Sequence, residues 1–322
     1  MLSEQEKVQL SIVIPFYNEE LNIDRLFERL ILVLEPLKMT YEIICINDGS
    51  KDNTLKLLVK YHQLNPLIKV VNFSRNFGKE IAITAGIDYA LGDAVIPIDA
   101  DLQDPPELIV ELIAKWREGY DVVYATRRSR QGESWLKQFT AQKFYRTIQH
   151  LTPVEIPPDT GDFRLIDRKV VEALKKLPET NRFMKGLFSW VGYQQTSILY
   201  DRSLRFKGET KWNYWQLWNL AIEGITAFSS IPLKIWSYIG ISISLISFIY
   251  ASFLVIRTLI FGIDVPGYAS LIVAILFLGG MQLLSLGILG EYLGRVHEEV
   301  KRRPLYLVRE SYGFKNQMNR RE

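Results

Sequence analysis

Ala94-Val95-Ile96-Pro97-Ile98-Asp99-Ala100-Asp101-Leu102-Gln103-Asp104-Pro105-Pro106 is the stretch on which the fold turns. Ala94 to Ile98 is a continuous apolar run, the pattern of a strand covered on both faces. Carboxylates follow at once. Two prolines then open a helical pattern from Pro105 to Gly119, proline being suited to a first helical turn.

The same unit recurs upstream. Gln9 to Pro15 reads as a strand and Leu21 to Leu37 as a helix; Glu42 to Asn47 is a strand and Asn53 to Asn65 a helix; Ile68 to Phe73 is a strand and Gly78 to Leu91 a helix. Asp121 to Ala125 supplies a fifth strand. Short apolar strands alternating with longer amphipathic stretches predict a mainly parallel α/β sheet with helices on both faces. In such sheets ligands bind beyond the carboxyl ends of the strands. The chemistry is therefore expected just after each strand.

That is where the polar residues stand. Asp99 and Asp101, at i and i+2 off a strand end, are suited to hold a hard divalent cation through oxygen, and Gln103 adds a neutral oxygen. A bound Mg²⁺ or Mn²⁺ neutralises the charge that develops on a diphosphate leaving group. The structural alternative is an acidic turn before a helix, with Asp104 as its cap. Pro15-Phe16-Tyr17-Asn18-Glu19-Glu20 ends the first strand and Asn47-Asp48-Gly49-Ser50 the second. Asp48 is placed to accept hydrogen bonds from a base or ribose, and Tyr17 to pack on a base. The alternative for Asn47 to Ser50 is a turn with Ser50 or Asp52 capping the next helix. Together the three strand ends make one polar cleft.

Composition narrows the class. The chain has 322 residues, room for roughly two units. Its net charge of +3 lacks the dense basic stripe of a nucleic-acid binder. One cysteine, Cys45 in an apolar run, excludes an internal disulfide and reads as a buried small hydrophobe; three scattered histidines offer no Cys/His metal framework. Glu4, Glu6 and Lys7 open the chain without an apolar signal segment, which predicts a cytoplasmic N-terminal domain.

The C-terminal third changes character. Trp135 to Leu151 is a basic helical pattern with aromatics, and residues 212 to 223 carry Trp212, Tyr214, Trp215 and Trp218; both suit a membrane interface, the first equally a surface helix. Ile235 to Ile256 has no charge over 22 positions and Val265 to Gly290 none over 26, each beyond the roughly 20 residues a spanning helix needs. Lys234 on one flank and Arg295, Lys301, Arg302 and Arg303 on the other put both flanks in the cytoplasm and the short link outside. The expected organisation is a catalytic domain over 1–211, an interface helix and linker over 212–230, two spans within 231–294 (about 235–257 and 265–291), and a basic cytoplasmic tail over 295–322. Gly290 and Gly294 form a Gly-x-x-x-Gly pair that permits a homo-oligomer, although ordinary glycine use explains it as well.

With these residues in view the chain resembles the family 2 glycosyltransferases of the GT-A (Rossmann-like) fold, and within them the polyprenyl-phosphate glycosyltransferases, among them dolichyl-phosphate mannose synthase and the bacterial GtrB-type glucosyltransferases. The matching segments are Ser11 to Glu19, Asn47 to Ser50, Phe73 to Lys79, Asp99 to Pro106, Gly161 to Leu165 and Arg205 to Trp212. The resemblance implies that Pro15, Tyr17, Asn18, Glu19, Asp48, Ser50 and Asp99 line the nucleotide-sugar pocket. It implies that Asp101, Gln103 and Asp99 meet the metal, and that Arg205, Lys211 and Arg127 meet phosphates of donor or acceptor. Basic side chains just before the membrane are also where an anionic lipid headgroup arrives. Asp162, expected in a loop, would orient the acceptor or a sugar hydroxyl, or serve as a structural cap. Trp212 and Thr210 stand where the family often has Tyr and Ser.

The expected reaction is transfer of a sugar, glucose from UDP-glucose foremost, to undecaprenyl phosphate at the cell membrane. The resemblance implies a single displacement with inversion. A phosphate acceptor is already anionic at neutral pH, so it needs no strong base; Asp162 is the one candidate. Catalysis would rest on Asp99, Asp101 and Asp162. Three alternatives stand beside it: a mannose synthase using GDP-mannose, a processive polysaccharide synthase, and an inactive membrane anchor. The processive enzymes carry a Gln-x-x-Arg-Trp motif that this chain lacks. An inactive anchor would have no need of the complete acidic set.

Overall fold

The computed structural model describes residues 7–128, 160–180, 182, 184–201, 231–261 and 267–314. The expected interface segments at 135–151 and 212–223, together with Arg205 and Lys211, lie outside these residues.

The four expected β/α units are present. Strands β1 (Leu10–Phe16), β2 (Tyr41–Asn47), β3 (Ile68–Phe73) and β4 (Ala94–Pro97) alternate with helices α1 (Ile23–Leu34), α2 (Thr54–Leu64) and α3 (Lys79–Tyr89). A 3₁₀ turn at Pro106–Leu108 then leads into α4 (Ile109–Arg117). β1 pairs in parallel with β2 and β4, and β2 with β3. Their apolar runs are buried because both faces are covered. Ile12 and Ile14 point into the core under α1, while Val13, one residue out of phase, points into the core under α3. Helix α3 meets β1 so closely that a Cβ at Gly86 would overlap the Val13 side chain. Cys45 is fully buried, as its apolar run predicts.

Beyond β4 the sheet becomes mixed. β5 (Val122–Arg127), β6 (Thr160–Asp167), α5 (Arg168–Lys175), α6 (Met184–Trp190) and β7 (Gln195–Tyr200) complete this half. β6 lies between β4 and β5, antiparallel to both. Its first residues therefore reach the edge at which the parallel strands end. Asp162 lies within β6, not in the loop expected for it.

Two long helices follow, α7 (Ile231–Phe261, 31 residues) and α8 (Tyr268–Lys301, 34 residues). Taken over the described residues, no helix is long and apolar enough to cross a membrane. Both helices nevertheless expose large apolar side chains; Phe248, Leu259, Phe261 and Leu283 are each more than 70% exposed. The segment read as a basic tail contains further structure: α8 runs on to Lys301, and Val308–Tyr312 forms β8, antiparallel to β3. The sheet order is β7-β5-β6-β4-β1-β2-β3-β8.

Candidate active site

The site is built by the loops that leave the carboxyl ends of β1, β2, β3 and β4. The first two are laced together. The Asn18 N–H donates to Ser50 Oγ at 3.0 Å, the Lys51 N–H to Asn18 Oδ1 at 2.7 Å, and the Glu19 N–H to Thr54 Oγ1 at 3.0 Å. Asn18 adopts φ +54°, a left-handed conformation that asparagine tolerates better than most residues. Glu19 accepts from the Asn22 amide at 2.7 Å. Asp52, one of the two expected caps, accepts from the Thr54 N–H at the start of α2 at 3.0 Å. Pro15 and Tyr17 are half-buried beside these loops.

Asp48 ties this pair to the third loop. Its carboxylate oxygens accept the Phe77 N–H at 2.7 Å and the Gly78 N–H at 3.0 Å. Burial nevertheless holds its carboxyl above the usual range, against those two bonds and Arg75. Gly49 allows the approach: at φ +68° a Cβ there would stand 2.6 Å from Arg75 C and Asn76 N.

The fourth loop carries the acidic motif. Asp101 is buried and accepts the Gln103 N–H at 3.1 Å. Between them Leu102 is held at φ +60°, a strained conformation for a branched apolar residue and one that clusters at functional sites. Asp104 is not the expected helix cap. Its buried carboxylate accepts the Tyr200 hydroxyl at 2.5 Å, and Arg127, the last residue of β5, hydrogen-bonds the same tyrosine. Asp104 can bond Tyr200 because β7, hydrogen-bonded to β5, ends at the same edge.

Lys79 opens α3 and joins the loop after β4 to β6. Its ammonium lies 2.7 Å from Asp99 Oδ1 and 2.6 Å from Asp162 Oδ2. Burial opposes the ammonium charge, but Asp162 and Asp99 outweigh it and hold Lys79 well above the usual lysine range. Asp99 is pushed up to about 6 by burial, with Lys79 opposing and Asp162, Asp104 and Asp101 adding to the rise. Asp162, in spite of burial, is held well below the usual range by Lys79, Lys185 and Arg164. Arg164 lies over the Phe188 ring at 4.1 Å and donates to the Gly161 carbonyl at 2.8 Å.

Four carboxylates thus crowd one edge, and after burial the neighbouring carboxylates add to the rise of Asp99. That excess of hard oxygen donors fits a divalent cation. Among the described residues, however, no three acidic, His or Cys side chains are gathered so as to hold a metal ion.

The structure brings together Tyr17, Asn18, Glu19, Asp48, Ser50, Asp99, Asp101, Gln103, Arg127 and Asp162 at one edge of the sheet. Asn18, Glu19 and Ser50 spend hydrogen-bonding groups on loop-to-loop contacts and so shape the pocket wall. Sequence reasoning missed Lys79 and Tyr200. Lys79 stood within the quoted Phe73 to Lys79 segment, yet its two partners are distant in sequence; Tyr200 carried no signal.

Comparison with known proteins places residues 11–175 under the model described as glycosyl transferase family 2. An uncharacterized glycosyltransferase of Synechocystis sp. is 69% identical over 307 residues, 95% of this chain and 96% of that protein. A prophage-derived bactoprenol glucosyl transferase of Shigella flexneri is 49% identical over 306 residues, 95% of this chain and 99% of the relative. A prophage bactoprenol glucosyl transferase homolog of Escherichia coli is 48% identical over 303 residues, with coverage of 94% and 99%.

Proposed function

The chain belongs to the family 2 glycosyltransferases, and from that premise we propose that it transfers glucose from UDP-glucose to undecaprenyl phosphate at the cell membrane. The observation that carries the reading is the meeting of the strand-end carboxylate Asp99 with Asp162 of β6 across Lys79, with Asp48 and Asp101 on the flanking loops. The names of the relatives favour glucose over mannose and a bactoprenol lipid as acceptor.

In this reading the uridine sits against Tyr17 and Pro15, with Asp48 near the base and Asp99 near the ribose. Asp99, Asp101 and the Gln103 amide would hold Mg²⁺ or Mn²⁺, and the ion would supply neutralisation of charge on the diphosphate. A phosphate oxygen of the lipid attacks the anomeric carbon as the bond to the nucleotide diphosphate breaks on the opposite face. UDP leaves and the configuration inverts. Asp162, kept ionised by Lys79, Lys185 and Arg164, orients the acceptor or a sugar hydroxyl. Arg127, Arg205 and Lys211 receive phosphates. Positioning and charge neutralisation then supply most of the rate.

In this reading α7 and α8 form a hairpin that anchors the domain at the bilayer. Support comes from the uncharged runs Ile235 to Ile256 and Val265 to Gly290 of the sequence and from the exposed apolar side chains of the two helices, which water would solvate poorly. The pairing of β8 with β3 fits this topology, because it requires the chain after α8 to return to the side of the catalytic sheet.

The test is transfer by purified protein in detergent, offered undecaprenyl phosphate, Mg²⁺ or Mn²⁺, and labelled UDP-glucose, GDP-mannose and UDP-linked amino sugars. A glucosyl lipid that disappears with chelator and with Asp101→Ala is expected. Transfer from another donor would overturn the choice of sugar. Folded protein that binds nucleotide and makes no lipid product with any donor would sink the catalytic reading.

A further inference from the structure

The segment after α8 touches the donor side of the cleft at one place. β8 pairs Val70 with Tyr312, Val71 with Ser311, Asn72 with Glu310 and then Phe73 with Val308, so that Arg309 is the extra residue of a bulge. Bulges re-aim side chains and recur beside active sites. Here the Arg309 guanidinium donates to the Ser74 carbonyl at 3.2 Å, and the Ser74 N–H donates to the Leu307 carbonyl at 2.9 Å. Tyr306 stacks on Phe73 with ring centroids 5.1 Å apart, and its hydroxyl donates to Asp88 at 3.1 Å. Phe73 meets Phe77 edge-on at 5.6 Å, and the Arg75 guanidinium lies over the Phe77 ring at 4.0 Å.

These contacts fix both ends of a short loop. Residues 73 and 74 are gripped by the C-terminal segment. Residues 77 and 78 donate their N–H groups to Asp48, and residue 79 bridges Asp99 and Asp162. We infer that Tyr306 and Arg309 are positioning residues for donor binding: through Phe73 and Ser74 they set the 74–79 loop against Asp48, so that the segment beyond α8 completes the nucleotide-sugar pocket. The inference rests on the reading of that cleft as the donor site.

Phe314 supplies the internal control. It packs on Tyr89 at 4.7 Å and under the Lys69 ammonium at 5.5 Å, beyond the far end of β8 from the loop. The experiment compares Tyr306→Ala, Tyr306→Phe, Arg309→Ala and Phe314→Ala in the full chain. It measures donor KM and kcat, direct UDP affinity by calorimetry, and thermal midpoints. Tyr306→Ala is expected to raise donor KM and weaken UDP about tenfold, and Arg309→Ala about threefold, with kcat at saturating donor within about twofold of wild type. Tyr306→Phe keeps the stack and should recover most of the affinity. Phe314→Ala should lower the midpoint yet leave UDP affinity near wild type. If Tyr306→Ala does not fold, Arg309→Ala still decides, because Arg309 is exposed.

The inference fails if UDP affinity is unchanged in Arg309→Ala and Tyr306→Ala, or if Phe314→Ala loses it equally. Calorimetry needs no turnover, so a protein that ranks the variants as expected but transfers no sugar would keep this inference and lose the proposed reaction.

Discussion

Replacing Lys79 by methionine keeps most of the side chain's volume and removes one charge. In the structure that charge separates Asp99 from Asp162, at 2.7 and 2.6 Å from an oxygen of each. Those arms allow the two oxygens to stand no farther apart than about 5 Å, where like charges at an effective dielectric near 20 repel by about 3 kcal/mol. The Lys79 side chain is 40% exposed, so water screens part of this, and about 2 kcal/mol is the fair expectation. If the displaced carboxylates are those that orient donor and acceptor, kcat/KM falls about thirtyfold.

Stability carries the second readout. In the wild type Asp162 is held below its ordinary carboxylate range, so it contributes stability above that range that is lost as pH falls. Without Lys79 the contribution shrinks. The difference in thermal midpoint between wild type and Lys79→Met should therefore be widest at neutral pH and close in acid. Lys79→Arg, which keeps the charge, should retain most of both properties. A methionine variant that transfers sugar at more than about a third of the wild-type rate, with a midpoint difference indifferent to pH, would refute the bridging role.

Other perturbations test the same edge. Gly49→Ala should lose about 2–4 kcal/mol in denaturant unfolding, and UDP affinity with it, since its Cβ would be driven into the backbone at Arg75 and Asn76. Tyr200→Phe removes the hydrogen bond to buried Asp104; a loss of about 1–3 kcal/mol is expected, with a weaker response of transfer to added Mg²⁺. Glu80 is pushed up to about 7 by burial and by Asp162, against Lys79 and Lys185. The folded chain then holds a proton that the unfolded chain has released, and stability from this group falls as pH rises from the carboxylate range to about 7. Glu80→Gln should match the wild type in acid and exceed its thermal midpoint at about pH 8; a variant less stable than wild type there would contradict the assignment.

How much of this the sequence disclosed follows from what each element packs against. Strands β1 to β4 were readable because both faces are covered, which demands continuous apolar runs such as Ile43 to Ile46. β8 was not readable. Its residues, Val-Arg-Glu-Ser-Tyr, lie at a sheet edge where only one neighbour and little burial constrain them. The place of Asp99, Asp101 and Asp48 just beyond the strand ends was legible because the apolar runs before them mark where each strand stops. Asp104 was misread as a cap because Asp-Pro-Pro is a common helix opening, whereas its partner Tyr200 lies on another strand. Asp162 was expected in a loop because nothing local reveals that its strand runs antiparallel between two others.

The place of β8 in the chain bears on how the protein is made. A ribosome delivers β1 to β7 first, then both long helices, and only afterwards the strand that covers β3. Until then β3 presents an open edge, and the loop after it lacks one of its two anchors. Domains begin to fold as they emerge, so a nascent chain halted after α7 would carry a folded but unfinished sheet. Among the described residues the last strand to be synthesised is the one that covers β3, so that edge of the sheet closes only after both long helices have been made.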